Sequence, residues 1–341
     1  MNRSNKFNIY SPKKHYRKYI FIIFLFIIFI YFIQKNLLEN EKRENNKKEK
    51  NNFDVNFRYD NYQNNLITDK MKQKAKWVLN INDAKFINGL IRKLKPQNCL
   101  EIGVAYGGSA ILILNAIKDI KNSCLVSLDL YNIFLNKKIG YRVNKYFPEL
   151  AKNWKLFTGN QPHKFLVKLN MKFDFLFLDS IHVPPGEILN FIEALPFLNE
   201  NAIVVIHDIL WHLYIKNKIY PSNINLFPAI YGDKLLLRKE DGYIGNFGAV
   251  ILYPNQKSHF LNYFLLLLNF WQYMPTDNQI NDLRIFIKKY YNNSFYLRLF
   301  NIAVDKNKFY SKNYMSIYHQ IKNKEYKKRL NNITITNKII N

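Results

Sequence analysis

The sequence predicts an α/β domain built on a doubly wound, mostly parallel sheet, and three observations carry that reading. Residues 98–109, NCLEIGVAYGGS, form an apolar run closed by a glycine turn and followed at once by a helical pattern of Ala110, Ile111, Ile113, Leu114 and Ile117. That is strand, tight turn, helix. Further apolar runs at 123–130, 154–158, 173–178 and 202–206 alternate with amphipathic stretches, the pattern of strands buried on both faces. Finally, Glu101, Asp129, Asp179 and Asp208 stand at the ends of such runs, where an open parallel sheet places its ligand crevice.

In chain order, residues 1–18 are polar and basic, and 19–34 hold the uninterrupted apolar run YIFIIFLFIIFIYFI. The run is shorter than the ~20 residues of a usual span, but Lys18 and Lys35 at its ends can snorkel. It has no polar face for a soluble core helix and no small-residue cleavage site after it. It therefore predicts an uncleaved, single-pass transmembrane helix that anchors the chain in a membrane. Basic residues lie on both flanks, Lys13, Lys14, Arg17 and Lys18 before and Lys42, Arg43, Lys47, Lys48 and Lys50 after, so the charge bias leaves open the side on which the rest of the chain lies. Residues 35–65 are charged and Asn-rich and read as a solvated linker.

The domain proper is expected over 66–305. Two lead-in helices, about 66–79 and from Asn82 or Asp83 up to Pro96, precede the first strand. Residues 234–238 and 248–253 predict an antiparallel closing hairpin at one edge, with Asp241, Gly242 and Gly245 as turn residues. The aromatic run 259–274 is interrupted by Asn262 and Asn269. It is expected as a buried or surface-lying helix, not a second span. Another helix begins after Pro275, and 306–341 form a basic tail.

The chain of 341 residues carries a net charge of +26. Such charge suits nucleic acid or an anionic membrane, but a Lys-rich composition raises it everywhere and no nucleic-acid-binding motif is present. No specific nucleic-acid partner is expected. Cys99 and Cys124 each open a predicted strand and read as small apolar side chains, with neither a disulfide framework nor zinc spacing. No feature of the sequence sets the oligomeric state.

The glycine turn narrows the ligand. A phosphate-binding P-loop would need a lysine where Ser109 stands, and a dinucleotide fingerprint would need glycine where Ala105 stands. Glu101 just before the turn would repel a phosphate and hold a cation. The E-x-G-x-x-x-G-G-S pattern, with the later strand-end acids and the phrase FDFLFLDSIHVPPGEILNFIEALPFLNENAIVVIHDI, resembles class I S-adenosylmethionine-dependent methyltransferases. Within them it is similar to the catechol-type and macrocin-type O-methyltransferases. Glu200 and Asn201 replace the glycine pair usual before the fifth strand, Asn being able to take the left-handed turn.

The resemblance implies a Rossmann-like sheet and S-adenosyl-L-methionine as cofactor. Glu101 would orient its methionine end, Gly103, Tyr106, Gly107, Gly108 and Ser109 would wrap that end, Asp129 would hold the ribose, and Asn160 would lie near the adenine. Asp179 would face the methyl group and the acceptor. In metal-dependent relatives Mg²⁺ is held there together with the positions of His207 and Asp208. Mg²⁺ prefers oxygen ligands, so His207 favours a softer divalent ion. In a metal-free site His182 or His207 would act as general base. The expected activity is methyl transfer to a hydroxyl oxygen of a sugar, lipid-linked or small-molecule acceptor. Two other classes fit part of the pattern. One is a non-catalytic, membrane-tethered Rossmann-like binding module. The other is a nicotinamide-dependent oxidoreductase, which Ala105 disfavours.

Overall fold

A computed structural model describes residues 68–74, 81–210, 223–238 and 244–310, all within the compact unit Arg58–Asn341. The predicted anchor at 19–34, the linker, and nearly all of the basic tail lie outside the described residues. Among the described residues no helix is long and apolar enough to cross a membrane.

The sheet has seven strands: β1 (Asn98–Ile102), β2 (Cys124–Asp129), β5 (Trp154–Thr158), β6 (Phe173–Leu178), β7 (Leu198–His207), β8 (Gly232–Arg238) and β9 (Ile244–Leu252). Their order is β5-β2-β1-β6-β7-β9-β8. The first five are parallel. The strands β9 and β8 are antiparallel, as the predicted closing hairpin requires. A separate two-stranded hairpin, β3 (Ile133–Phe134) and β4 (Lys137–Lys138), follows β2. Chain order runs outward from β1 through β2 to β5, then restarts beside β1 with β6. The topological switch point, where such sheets bind ligands, therefore lies between β1 and β6.

Helices cover both faces. They are α1 (Asp69–Lys74), α2 (Ile81–Leu94), α3 (Gly108–Ile117), α4 (Tyr141–Tyr146), α5 (Pro162–Leu169), α6 (Gly186–Ala194), α7 (Asn223–Ala229), α8 (Phe260–Leu266) and α9 (Asp277–Tyr290), with a further helix, α10, over 294–310. Every residue of α3 is buried, which explains why its sequence shows no polar face. Helix α2 packs on it and buries Phe86, Ile87, Leu90 and Ile91. Helix α6 covers the sheet with Ile188, Phe191 and Ile192, and β6 contributes Phe173, Phe175, Phe177 and Leu178 to the core. At about 25 cal/mol per Å² of apolar surface, this double cover is the main source of stability.

Several expectations need adjustment. Of the first lead-in helix only Asp69–Lys74 is described. The helix expected over 259–274 covers only Phe260–Leu266. It stops because Asn307 of α10 captures the chain beyond it: its Oδ1 accepts the Trp271 amide at 2.8 Å and its Nδ2 donates to the Asn269 carbonyl at 3.2 Å. Tyr263, Phe264, Leu267 and Trp271 are buried while Phe270 is 46% exposed, which favours the buried helix of the two alternatives for this run. Helix α10 continues past the boundary drawn at 305. Asn201 adopts φ +63°, the left-handed turn expected of it in place of a glycine pair. Helix α9 begins in a capping box between Thr276 and Gln279. Cys99 is buried and Cys124 half-buried, and both are free thiols.

Candidate active site

The glycine turn is built by close backbone approach. Gly103 has φ +92°, and a Cβ there would lie 1.9 Å from the Asp179 carbonyl oxygen. The ends of β1 and β6 are therefore pressed together at the switch point, and only glycine fits. The Gly103 amide donates to the Leu128 carbonyl at 2.9 Å, and the Asp179 amide to the Ile102 carbonyl at 3.0 Å. Ala105 takes φ +45°, a left-handed conformation that costs a non-glycine residue about 1–2 kcal/mol. Asp129 holds this turn in place. Its Oδ2 accepts the Val104 and Ala105 amides at 3.0 and 3.2 Å, and its Oδ1 accepts the Tyr131 amide at 2.9 Å.

Glu101 lies beneath the turn. It is fully buried, and its two carboxylate oxygens accept the hydroxyls of Ser109 and Ser127, each at 2.5 Å. Trp154 in turn donates its indole N–H to Ser127 Oγ at 2.8 Å. Burial pushes the Glu101 carboxyl up to about 7, against the pull of the two hydroxyls. Each carboxylate oxygen accepts one hydroxyl and keeps a further lone pair. As placed, Glu101 supports the turn from below, and Ser109 spends its side chain on it. Ser127 and Trp154 escaped sequence reading, although a serine inside the apolar run CLVSLDL was a signal.

Gly107, at φ +87°, is the cap of α3, so Gly108 and Ser109 open that helix with amides aimed towards the turn. Tyr106 is held edge-on by Phe134 and Tyr141, with the Arg142 guanidinium 5.1 Å from its ring centre. Asn160 is exposed in the loop after β5. That loop is registered to β2 by the Gly159 amide, which donates to the Asp129 carbonyl at 3.0 Å.

The second half of the site gathers Asp179, His182, His207 and Asp208. His207 Nδ1 lies 2.8 Å from Asp179 Oδ1, and its Nε2 lies 3.3 Å from Asp208 Oδ1. His182 Nε2 lies 3.1 Å from Asp208 Oδ2 and 3.5 Å from Asp179 Oδ1. The His207 ring stacks on Phe247 of β9 with centres 4.5 Å apart, a placement set by the His207–Phe247 register of β7 with β9. Asn246 of β9 donates to Asp208 Oδ1.

Glu187, in the first turn of α6 and fully buried, lies 3.1 Å from His182 Nδ1. Glu187 and Asn246 were not singled out from sequence. The first was legible as an acid opening a helix beside His182. The second was not, because only the antiparallel pairing brings β9 to this point.

Electrostatics bind this group together. Burial alone would raise Asp179, but His207 and His182 hold it below the ordinary carboxylate range. Burial opposes a charge on His182, yet Glu187, Asp179 and Asp208 carry it up to about 9. Burial likewise opposes a charge on His207, and Asp179 overrides it in the upward direction. Burial raises Asp208 against the pull of both rings. The Mg²⁺ implied by the resemblance does not suit this donor set. Half of the converging groups are imidazoles, and Mg²⁺ takes oxygen ligands in an octahedral shell.

A family profile described as "Methyltransferase domain" matches residues 100–209, the stretch from β1 to the residue after Asp208. No curated protein matches the chain in sequence. Solved structures similar to it include the O-methyltransferase TomG of Streptomyces achromogenes, solved with S-adenosylmethionine, at 17% identity over 54% of this chain and 90% of that one, with a TM-score of 0.42. An O-methyltransferase of Bacillus cereus in complex with S-adenosylhomocysteine is similar at 18% identity over 55% and 90% of the two chains, TM-score 0.42. The Podospora anserina methyltransferase PaMTH1 is similar at 20% identity over 55% and 88%, TM-score 0.39. The profile spans the glycine turn, Asp129, Asp179 and the His207–Asp208 pair, so this stretch of the chain is similar to a methyltransferase domain.

Proposed function

We propose that this chain transfers a methyl group from S-adenosyl-L-methionine to a hydroxyl oxygen of a sugar, lipid-linked or small-molecule acceptor. The observation that carries the reading is the meeting at one switch point of a strained glycine turn held by Asp129 and the Asp179–His182–His207–Asp208 cluster. The first offers a ribose-binding carboxylate and a helix N-terminus; the second offers proton acceptors one strand away.

The chemistry asks little else. As the acceptor oxygen bonds to the methyl carbon, the carbon–sulfur bond breaks and its electrons return to sulfur. The sulfonium becomes a neutral thioether, and the hydroxyl proton passes to the cluster. The protein must align the two partners and exclude water. Calorimetry tests the reading: S-adenosylhomocysteine is expected to bind one per chain, and NAD in excess is expected not to displace it. Absence of binding, or displacement by NAD, would return the chain to the binding-module or oxidoreductase classes.

Membrane attachment belongs to the same proposal. The support is the run at 19–33, apolar throughout and bracketed by Lys18 and Lys35. The full chain is expected to stay with membranes after alkaline carbonate washing. Release into the supernatant would remove the anchor from the reading. Lipid-linked acceptors suit a catalytic domain tethered near a bilayer. The exposed side chains of Leu130, Tyr131, Ile133 and Leu135 beside the turn offer apolar surface for them.

A further inference from the structure

The mismatch between the implied Mg²⁺ and the side chains present is informative in itself. One ligand atom each from Asp179, His182, His207 and Asp208 can be chosen so that all lie within 4.8 Å of one another. The closest pairs are 2.8, 3.1 and 3.5 Å apart. A tetrahedron with metal–ligand bonds of about 2.0 Å has edges of about 3.3 Å, so these separations straddle the value that a small tetrahedral ion requires. We propose that this cluster is a binding site for a borderline divalent transition-metal ion of the Zn²⁺ and Co²⁺ class, with His182 Nε2 and His207 Nδ1 as its nitrogen ligands and Asp179 and Asp208 as its oxygen ligands.

The surroundings of the two rings support the assignment. Each imidazole has its other nitrogen already engaged by a carboxylate. His182 Nδ1 faces the buried Glu187 at 3.1 Å, and His207 Nε2 faces Asp208 Oδ1 at 3.3 Å. Metal binding displaces the proton from the other nitrogen, so that each ring turns a lone pair inward. Both inward nitrogens meet carboxylate oxygens, His207 Nδ1 on Asp179 and His182 Nε2 on Asp208. A divalent ion placed there would meet both rings and both carboxylates at once.

A carboxylate behind a ligating histidine is the usual outer support of such sites, because it fixes the ring's tautomer and orientation. Glu187 has that place behind His182, and Ser180, reached by the Asn190 amide at 2.7 Å, lies 3.4 Å from Glu187 and helps to hold it. Asn246 likewise donates to Asp208 Oδ1 and leaves Oδ2 to face inward. Nitrogen-rich donor sets favour the later first-row ions over Mg²⁺.

The inference concerns the pocket of the proposed methyl transfer but does not depend on cofactor binding, which calorimetry with S-adenosylhomocysteine reads separately. The test uses the full chain, prepared without a histidine tag, stripped with chelator and titrated with Co²⁺. Visible d–d bands of a four-coordinate site are expected to saturate at one ion per chain. Zn²⁺ should abolish them stoichiometrically, and a large excess of Mg²⁺ should leave them intact. Glu187→Gln is expected to weaken Co²⁺ binding about 10–100-fold, and His182→Ala to remove the four-coordinate spectrum while unfolding midpoints confirm a folded chain. Absence of the bands, displacement by Mg²⁺, or an unchanged spectrum in His182→Ala would each overturn the assignment. The first of these would leave protons, not a metal, as the positive charge between the rings.

Discussion

Gly103→Ala is expected to lower the unfolding midpoint by on the order of 10 °C and to abolish binding of S-adenosylhomocysteine. The methyl group would lie 1.9 Å from the Asp179 carbonyl oxygen, 2.6 Å from its carbonyl carbon and 2.9 Å from Ser180 Cα. All three are backbone atoms, so no side chain can turn aside. Relief requires β1 and β6 to part at their ends, where the Asp179 amide bonds the Ile102 carbonyl. The residue is also at φ +92°, which costs an alanine about 1–2 kcal/mol, and overpacking adds about 1–3 kcal/mol. Together this is a large share of the ~5–15 kcal/mol by which a domain is stable, and a shift of about 10 °C follows for a domain of this size. Thermal unfolding followed by circular dichroism checks it, and an unaltered midpoint would mean that the two strand ends do not approach this closely.

Asp129→Ala is expected to weaken S-adenosylhomocysteine binding by about 100-fold and to cost about 2–4 kcal/mol of stability. The carboxylate accepts the amides of Val104, Ala105 and Tyr131. Val104 is 2% exposed, so its amide has no ready access to water once the acceptor is gone. Ala105, at φ +45°, loses the bond that holds it in a left-handed conformation. The turn would relax, and the carboxylate proposed to hold the ribose would be lost with it. Asp129→Asn separates the two contributions, since its amide oxygen can still accept from the turn. It is expected to recover most of the stability and less of the affinity. Calorimetry and urea unfolding of the two variants give the comparison; equal affinity in wild type and Asp129→Ala would remove Asp129 from the cofactor site.

Much of the site could be read directly from the chain. A parallel sheet buried on both faces needs near-continuous apolar strands, so β1, β2, β5, β6 and β7 are visible as runs. Because such strands open their crevice at their C-terminal ends, Glu101, Asp129, Asp179 and Asp208 are found by position alone. The left-handed turn at Asn201 and the start of α9 were legible for the same local reasons, residue type and backbone preference. What escaped is non-local. Glu101 was legible as an acid before the turn, but its bonds to the hydroxyls of Ser109 on α3 and Ser127 on β2 were not. Asn307 shortens the aromatic helix after His259 from a place 36 residues beyond Trp271.

Sequence by itself determined the fold class, the glycine turn and the strand-end acids, since each depends on the periodicity and stereochemistry of a few neighbouring residues. Only the tertiary structure decided that Gly103 meets Asp179, that Asp129 holds the turn through three amides, and that Glu187 and Asn246 stand behind His182 and Asp208. Those relations join strands and helices that pack side by side while far apart along the chain. The physical reason is that hydrogen bonds and charges act over a few ångströms of space, and spacing along a sequence does not report that distance.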